Sequence, residues 1–320
     1  MRHYLRLLAL LTLGSLPFAL ASCGDQTTQP NPPAEPTSLA AASAPAPNTW
    51  IQRAQDPVDR VGFVTATVPN AAGESIVYVI GGWEYGNAQG MKVVEAYNVA
   101  TNRWSRRSDL PIGLTNFNGA GVIGGKIYIA GGQKSNWGWS TYTLFVYDPA
   151  KDTWTQRRGM PVRGAYGVTG VIGDKLYVAE NSKWGADHSD FLRYDPATNK
   201  WTTLPSPKHS YIMGGVLYGK LYLVGGQTEM YDPATNQWTD KAPAPMAGRI
   251  AAAAQAKLYV FTTMVYPRRT LVYAPLSDSW TVRDPGPVPW EPSATRIFVN
   301  GKPRIEVIGT FSPSNYQYVP

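Results

Sequence analysis

The sequence predicts an all-β body: a closed ring of six blades, each a four-stranded antiparallel sheet, a six-bladed β-propeller. Two recurring phrases and one spacing predict it. Tyr147-Asp148-Pro149-Ala150-Lys151-Asp152-Thr153-Trp154 returns as Tyr194-Asp195-Pro196-Ala197-Thr198-Asn199-Lys200-Trp201 and as Tyr231-Asp232-Pro233-Ala234-Thr235-Asn236-Gln237-Trp238, with looser copies ending at Trp104 and Trp280. Ahead of these come apolar runs such as Gly125-Lys126-Ile127-Tyr128-Ile129-Ala130-Gly131-Gly132 and Gly219-Lys220-Leu221-Tyr222-Leu223-Val224-Gly225-Gly226. The runs are short, β-branched or aromatic, and bounded by Gly, Asp, Pro or Asn, which is the pattern of strands separated by turns. Trp50, Trp104, Trp154, Trp201, Trp238 and Trp280 stand 54, 50, 47, 37 and 42 residues apart, near the length of one blade. Glycine and proline, 31 and 27 of 320 residues, argue against long uninterrupted helices.

Taken from the N-terminus, residues 1–22 read as an export signal, with Arg2 and Arg6 ahead of an apolar run over 7–13 and a second apolar stretch reaching Ala21. The interrupted run falls short of the roughly 20 apolar residues that a spanning helix needs. Leu20-Ala21-Ser22-Cys23 resembles the lipobox of bacterial lipoproteins, which implies cleavage before Cys23 and lipidation of its thiol. An unpaired thiol is otherwise unusual in an exported chain, and each buried acyl methylene adds about 0.8 kcal/mol of anchoring. Residues 23–48 hold Pro30, Pro32, Pro33, Pro36, Pro45 and Pro47 among small side chains, the composition of an extended tether. The expected address is the bacterial cell envelope, periplasmic or outer surface, with a membrane anchor on Cys23 and a folded body over 49–320.

Composition narrows the chemistry. The formal charge of +7 falls to +5 without Arg2 and Arg6, and no Lys/Arg cluster exceeds a pair, so nucleic acid is not an expected partner. With one Cys, the chain has no intrachain disulfide and no thiolate zinc or iron–sulfur site. Outside residues 1–22 only His188 and His209 remain, neither with a metal-spaced neighbour of its own type, so no metal and no cofactor are expected. Gly119-Ala120-Gly121-Val122-Ile123-Gly124 spells a dinucleotide fingerprint, but it runs into Gly125-Lys126 and another strand rather than a helix; it reads as an inner strand of small residues.

The blade phrases have a physical logic. Di-Gly lets backbones approach where a Cβ would collide. Asp-Pro-Ala-Thr-Asn is turn chemistry between antiparallel strands. Trp and Tyr fill the space between blades, because a lone four-stranded sheet cannot bury its own face. The last segments, 294–299, 304–310 and 315–319, supply three strands with no Trp strand after them. Asn48-Thr49-Trp50-Ile51 matches Asn236-Gln237-Trp238-Thr239, so the strand around Trp50 is expected to complete the closing blade.

The Gly-Gly pair, the Tyr-Asp-Pro turn and the following Trp resemble the kelch repeat over about residues 49–320. The resemblance implies a six-bladed kelch-type propeller. Ala179-Glu180 and Phe261-Thr262 stand in place of Gly-Gly, and Asn98-Val99 in place of Asp-Pro. Galactose-oxidase-like relatives use copper and a cross-linked Tyr–Cys, which this body cannot form because Cys23 lies outside it.

In such a ring, the loops between second and third strands and those between blades share one face, the default binding surface. Candidate ligand contacts there are Trp83, Tyr85, Asn136, Trp137, Trp139, Trp184, Asp187, His188 and Arg268: flat aromatic faces beside hydrogen-bonding groups suit sugar rings or a protein surface. The fourth repeat has only Gln227-Thr228-Glu229 there, notching the rim. Arg60, Arg163 and Arg249, with Lys208-His209 near an equivalent place, fall at the blade crossings, either as structural bonds to carbonyls or as cations around the channel. The expected function is binding of a carbohydrate or an envelope protein. The alternatives are a sugar-processing enzyme, such as the six-bladed kelch-type sialic acid mutarotases or an epimerase, and a structural envelope scaffold. For the enzyme, Glu84, Glu180, Asp187, His188, His209 and Glu229 are the local acid–base candidates.

Overall fold

The computed structural model describes residues 44–181, 190–263, 267–310 and 314–320. Residues 1–22, Cys23, most of the tether, and Trp184, Asp187 and His188 lie outside the described residues. After β1 (Thr49–Gln52), blade 1 is β2 (Val64–Pro69), β3 (Ser75–Ile80), β4 (Val94–Asn98) and β5 (Arg103–Arg107). Blade 2 is β6 (Ala120–Ile123), β7 (Lys126–Ala130), β8 (Leu144–Asp148) and β9 (Thr153–Gln156); blade 3 is β10 (Val168–Ile172), β11 (Lys175–Ala179), β12 (Phe191–Asp195) and β13 (Lys200–Leu204). Blade 4 is β14 (Met213–Leu217), β15 (Lys220–Val224), β16 (Thr228–Asp232) and β17 (Gln237–Lys241); blade 5 is β18 (Ile250–Ala254), β19 (Lys257–Phe261), β20 (Thr270–Ala274) and β21 (Ser279–Arg283). The sixth sheet runs β22 (Trp290–Val299), β23 (Lys302–Thr310), β24 (Asn315–Val319) and then β1, with Trp50 opposite Tyr318. First strands of successive blades touch around the ring, and β22 returns to β2. The structure is therefore a six-bladed propeller closed by its N-terminal strand, as the strand count predicts.

One device, repeated blade by blade, ties the turn face. The third-strand Tyr of each blade donates its hydroxyl to an Asn or Asp held in the left-handed backbone region that these residues tolerate: Tyr97 to Asn102 at 2.7 Å, Tyr194 to Asn199 at 2.7 Å, Tyr231 to Asn236 at 2.6 Å, Tyr273 to Asp278 at 2.6 Å and Tyr147 to Asp152. In the closing blade Tyr318 reaches Asn48, from the other end of the chain, at 2.8 Å. In four of these turns the same Oδ1 accepts an amide from the preceding blade, from Ala54, Ser108, Arg158 and Ala242. The fourth-strand indole then donates to that residue's carbonyl, as Trp104 does to Ala54 and Trp201 to Arg158. Blade 4 keeps the indole bond, Trp238 to the Pro205 carbonyl at 2.7 Å, but Pro205 has no amide to offer. Burial pushes these phenols up, Tyr97 to about 12, so they stay neutral donors.

Between blades, the second-strand Tyr packs on the third-strand Tyr of the next: Tyr78 on Tyr147 at 5.5 Å, Tyr128 on Tyr194 at 6.3 Å, Tyr177 on Tyr231 at 5.9 Å, Tyr222 on Tyr273 at 5.7 Å and Tyr259 on Tyr318 at 5.7 Å between ring centres. Each fully buried aromatic contributes about 1.5–3 kcal/mol of apolar transfer. Of the fingerprint-like glycines, Gly119 immediately precedes β6, Gly121 lies on it and Gly124 is in the hairpin after it. A Cβ on Gly121 would come within 2.3 Å of Leu176 in blade 3, so its smallness serves strand packing. At Gly81 and Gly131, backbone φ of 65° and 73° and carbonyls of the next connection, at 2.5 and 2.2 Å from a built Cβ, make the di-Gly requirement explicit.

Candidate functional site at the channel mouth

The second-to-third-strand loops and the blade connections surround the mouth of the central channel, where Gly62, Asn116, Tyr166, Ile212, Arg249 and Glu291 line an opening of about 130 Å³. Below it a cavity of about 230 Å³ continues between the first strands. Gly62, Asn116 and Tyr166 are equivalent. Each stands two residues after a carbonyl, of Arg60, Leu114 or Gly164, that accepts a bond from the preceding blade, from Thr310 Oγ1, the Gly82 amide or the Gly132 amide. Gly62 has φ of 65°, suited to glycine, yet Asn116 and Tyr166 hold 51° and 56°, and Glu291 holds 42° although Pro292 follows it. Such backbone costs about 1–3 kcal/mol per residue and persists where the surroundings over-determine it. Here positive φ places three polar side chains at one opening, Asn116 in a conformation that Asn tolerates and Tyr166 and Glu291 under strain.

A hydrogen-bond network fixes them. Asn116 Nδ2 donates to Gln133 Oε1 at 2.9 Å and to Asn136 Oδ1 at 3.2 Å; Tyr166 donates to the same Gln133 oxygen at 3.0 Å. Gln133, itself buried, donates through Nε2 to the Gly138 carbonyl at 2.8 Å, which ties the long blade 2 loop to the mouth. Across the opening Arg249 pairs with Glu291 at 2.7 Å, both partly exposed, an arrangement worth about 0–1 kcal/mol for stability and so free to exchange partners. Burial pushes the Tyr166 phenol up, against the pull of Asn116 and Arg249. The mouth thus presents a neutral phenol, an amide, a guanidinium and a carboxylate within one small opening.

Two aromatic groups flank it. Trp83, Tyr85 and Trp290 form a cluster, with ring centres 5.1 Å apart for Trp83–Tyr85 and 5.8 Å for Tyr85–Trp290, and Tyr85 is 50% exposed. In the blade 2 loop Trp137 and Trp139 are 82% and 85% exposed, so neither pins the loop to the body. Arg163 lies over Trp139 at 5.8 Å and over Tyr142 at 5.2 Å. The loops of blades 1 and 2 are zipped together by Gly90 to Lys134 at 2.8 Å and Asn136 to Ala88 at 2.7 Å, making one continuous wall.

The arginines expected at one repeated position part company. Arg249 immediately precedes β18, whereas Arg60 and Arg163 stand several residues ahead of β2 and β10. Arg60 is fully buried, bonded to Asp56 at 3.0 Å, to Glu95 at 2.6 Å and to the Gly81 and Val93 carbonyls, the structural alternative. Burial and the neighbouring Asp56 push Glu95 up while Arg60 pulls it down. His209 is exposed beside Tyr211, and Arg268 donates to the Val288 carbonyl at 3.0 Å.

A profile of the Kelch motif matches residues 67–111 and 115–161, which cover most of blades 1 and 2. The body is a six-bladed kelch-type propeller. Among curated proteins, the chain is 31% identical over 169 residues to Kelch-like protein terF of Aspergillus terreus, covering 47% of this chain and 36% of that one. It is 30% identical over 192 residues to human Kelch-like protein 23, covering 58% and 33%. The match therefore spans about a third of each of these relatives. The solved structure of YjhT aligns with a TM-score of 0.62 at 16% identity, over 74% of this chain and 88% of that one, a likeness of fold.

Within the kelch blades, two of the carboxylates considered for acid–base work are engaged in the scaffold. Glu229 is buried and accepts the Tyr211 hydroxyl at 2.6 Å and the amides of Lys208 and His209. Glu180 is buried in place of the second di-Gly residue and accepts the Asp190 amide at 3.4 Å. Glu84 is exposed in the blade 1 loop. Sequence reasoning passed over Asn116, Gln133, Tyr166 and Glu291. The one available signal was that Asn and Tyr occupy the place of Gly62, and connections of unequal length hide that equivalence.

Proposed function

We propose that this kelch propeller is an exported, lipid-anchored protein whose loop face binds a carbohydrate at the channel mouth. The observation that carries the reading is the positive-φ triplet Asn116, Tyr166 and Glu291 converging with Arg249 between two groups of exposed aromatic rings. Sugars present apolar ring faces edged by hydroxyls, and this arrangement offers stacking surfaces beside both donors and acceptors. The export signal and lipidation of Cys23 rest on the sequence pattern of residues 1–23 alone.

A glycan array probed with the body lacking residues 1–43 tests the binding. The expected result is a restricted set of glycans whose signal falls at least ~10-fold in Arg249→Gln and in Tyr166→Phe. No glycan signal, together with capture of an envelope protein that a Trp137→Ala/Trp139→Ala variant loses, would replace the sugar with a protein partner. Acceleration of sugar anomerisation above buffer would favour the enzyme. Loss of membrane fractionation and of acyl-chain labelling in Cys23→Ser is the result expected for the anchor.

A further inference from the structure

Five inter-blade seams are plugged by the Tyr pairs described above, and the sixth, between the closing blade and blade 1, is not. The register identifies the difference. Each second-strand Tyr pairs with the residue just before the locked third-strand Tyr, as Tyr128 does with Val146 and Tyr259 with Val272; in the closing blade Glu306 pairs with Gln317, just before Tyr318. Glu306 thus occupies the Tyr position, facing Tyr97 of blade 1. Beside it opens a cavity of about 660 Å³ on the turn face, away from the channel mouth, lined by Arg53, Glu74, Arg304 and Gln317 with apolar walls from Ile51 and Phe298.

The groups around this cavity leave a positive charge. Glu306 is fully buried behind Gln317, whose amide reaches it at 3.3 Å, and its other oxygen has no hydrogen-bond partner. Burial pushes this carboxyl up to about 8, against the pull of Arg53, Arg304, Gln317 and Asn315, so near neutral pH it does not offset the guanidinium charges. Arg53 is committed through Nε to Tyr97 at 2.9 Å and through Nη2 to the Val99 carbonyl at 2.6 Å. Arg304 bonds Gln317 through one nitrogen, and burial and the charge of Arg53 hold it below its ordinary value. The only carboxylate in the lining is Glu74, bonded to Asn70 and Asn98.

We propose that the cavity at the closing seam is a binding site for a small organic carboxylate, seated on Arg304 and Arg53 with its apolar part against Ile51 and Phe298. Two guanidiniums opposed by one carboxylate leave a single net positive charge, which matches a monoanion better than a dianion. The volume is that of a small-molecule site.

Titration of the protein by NMR at pH 7 with butyrate, benzoate and lactate, and with sulfate as the dianion, tests this. The expected result is saturable shifts from at least one carboxylate, with sulfate at least ~10-fold weaker and Arg304→Gln weakening the carboxylate at least ~10-fold. Glu306→Gln, which keeps the seam neutral, is expected to bind as the parent does and to abolish the weakening that the parent shows as pH rises past about 8. Glu306→Tyr restores the plug of the other seams and is expected to eliminate binding while the protein stays folded. The proposal is overturned by failure of all three carboxylates to saturate, by sulfate binding as tightly, or by unchanged affinity in either Arg304→Gln or Glu306→Tyr. None of these results bears on sugar binding at the mouth.

Discussion

On the turn face, all six blades carry the same Tyr–Asx bond and differ in small ways, such as the amide missing at Pro205. On the loop face, blade 4 joins its second and third strands through residues 225–227, while the blade 2 loop spans 131–143 and lifts two exposed indoles into solvent. The turn face is uniform because every blade must solve the same problem, hiding a sheet face against a neighbour, and one set of bonds solves it. The loop face is released from that demand, and there Tyr166 and Glu291 hold positive φ beside Asn116, which tolerates it; the turn face has its own unsuited residues at positive φ, Tyr218, Gln255 and Ala256, but these lie in first-to-second-strand hairpins and do not line the mouth.

This contrast can be broken most severely at the closure. Deleting residues 312–320 removes β24 and strands β1, and the expected outcome is loss of a single cooperative thermal transition; unchanged melting would mean that the ring does not depend on its sixth blade. Arg60→Ala leaves Asp56 and Glu95 as uncompensated buried carboxylates and is expected to cost about 3–5 kcal/mol in urea unfolding.

A third experiment uses pH. Glu306 sits above its ordinary range when folded, at about 8, so the folded state retains a proton that the unfolded chain releases. Its contribution is fully present below the unfolded value of about 4.5 and is lost as pH rises toward the folded one. Melting temperature is therefore expected to fall across that window by several degrees, and Glu306→Gln to flatten that part of the curve. An equal slope in the variant would assign the dependence elsewhere, Glu95 first.

Two smaller effects sharpen the comparison between faces. Asn199→Ala loses the bonds from Tyr194 and from the Arg158 amide and is expected to cost about 1–2 kcal/mol, whereas Asn236→Ala, opposite Pro205, is expected to cost less. At the mouth the sign should reverse. Tyr166→Gly installs the residue that Gly62 already carries, relieving strain by roughly 1 kcal/mol while weakening glycan binding; destabilisation without loss of binding would make Tyr166 a scaffold residue.

The blades were legible because their determinants are local. Tyr231-Asp232-Pro233 and Trp238 announce a turn and a strand within a few residues, and six such signals at blade spacing imply a ring. Closure was legible too, because three strands at one end and a lone Trp strand at the other require each other. The mouth was legible only in part: Trp137, Trp139 and Arg249 stand out by type, whereas Tyr166 and Gln133 look like ordinary strand and loop residues until their hydrogen bond is seen.

Glu306 shows where that division lies. From the amino-acid sequence alone follow the strands, their number, the turn chemistry and the meeting of the two ends, since each depends on residues close in the chain or on a periodic pattern. Which aromatic rings stay exposed, which arginine is buried, and that a Glu takes the place of a Tyr beside a cavity were decided by tertiary structure. Burial and charge are sums over neighbours that the fold, and not the chain order, brings together.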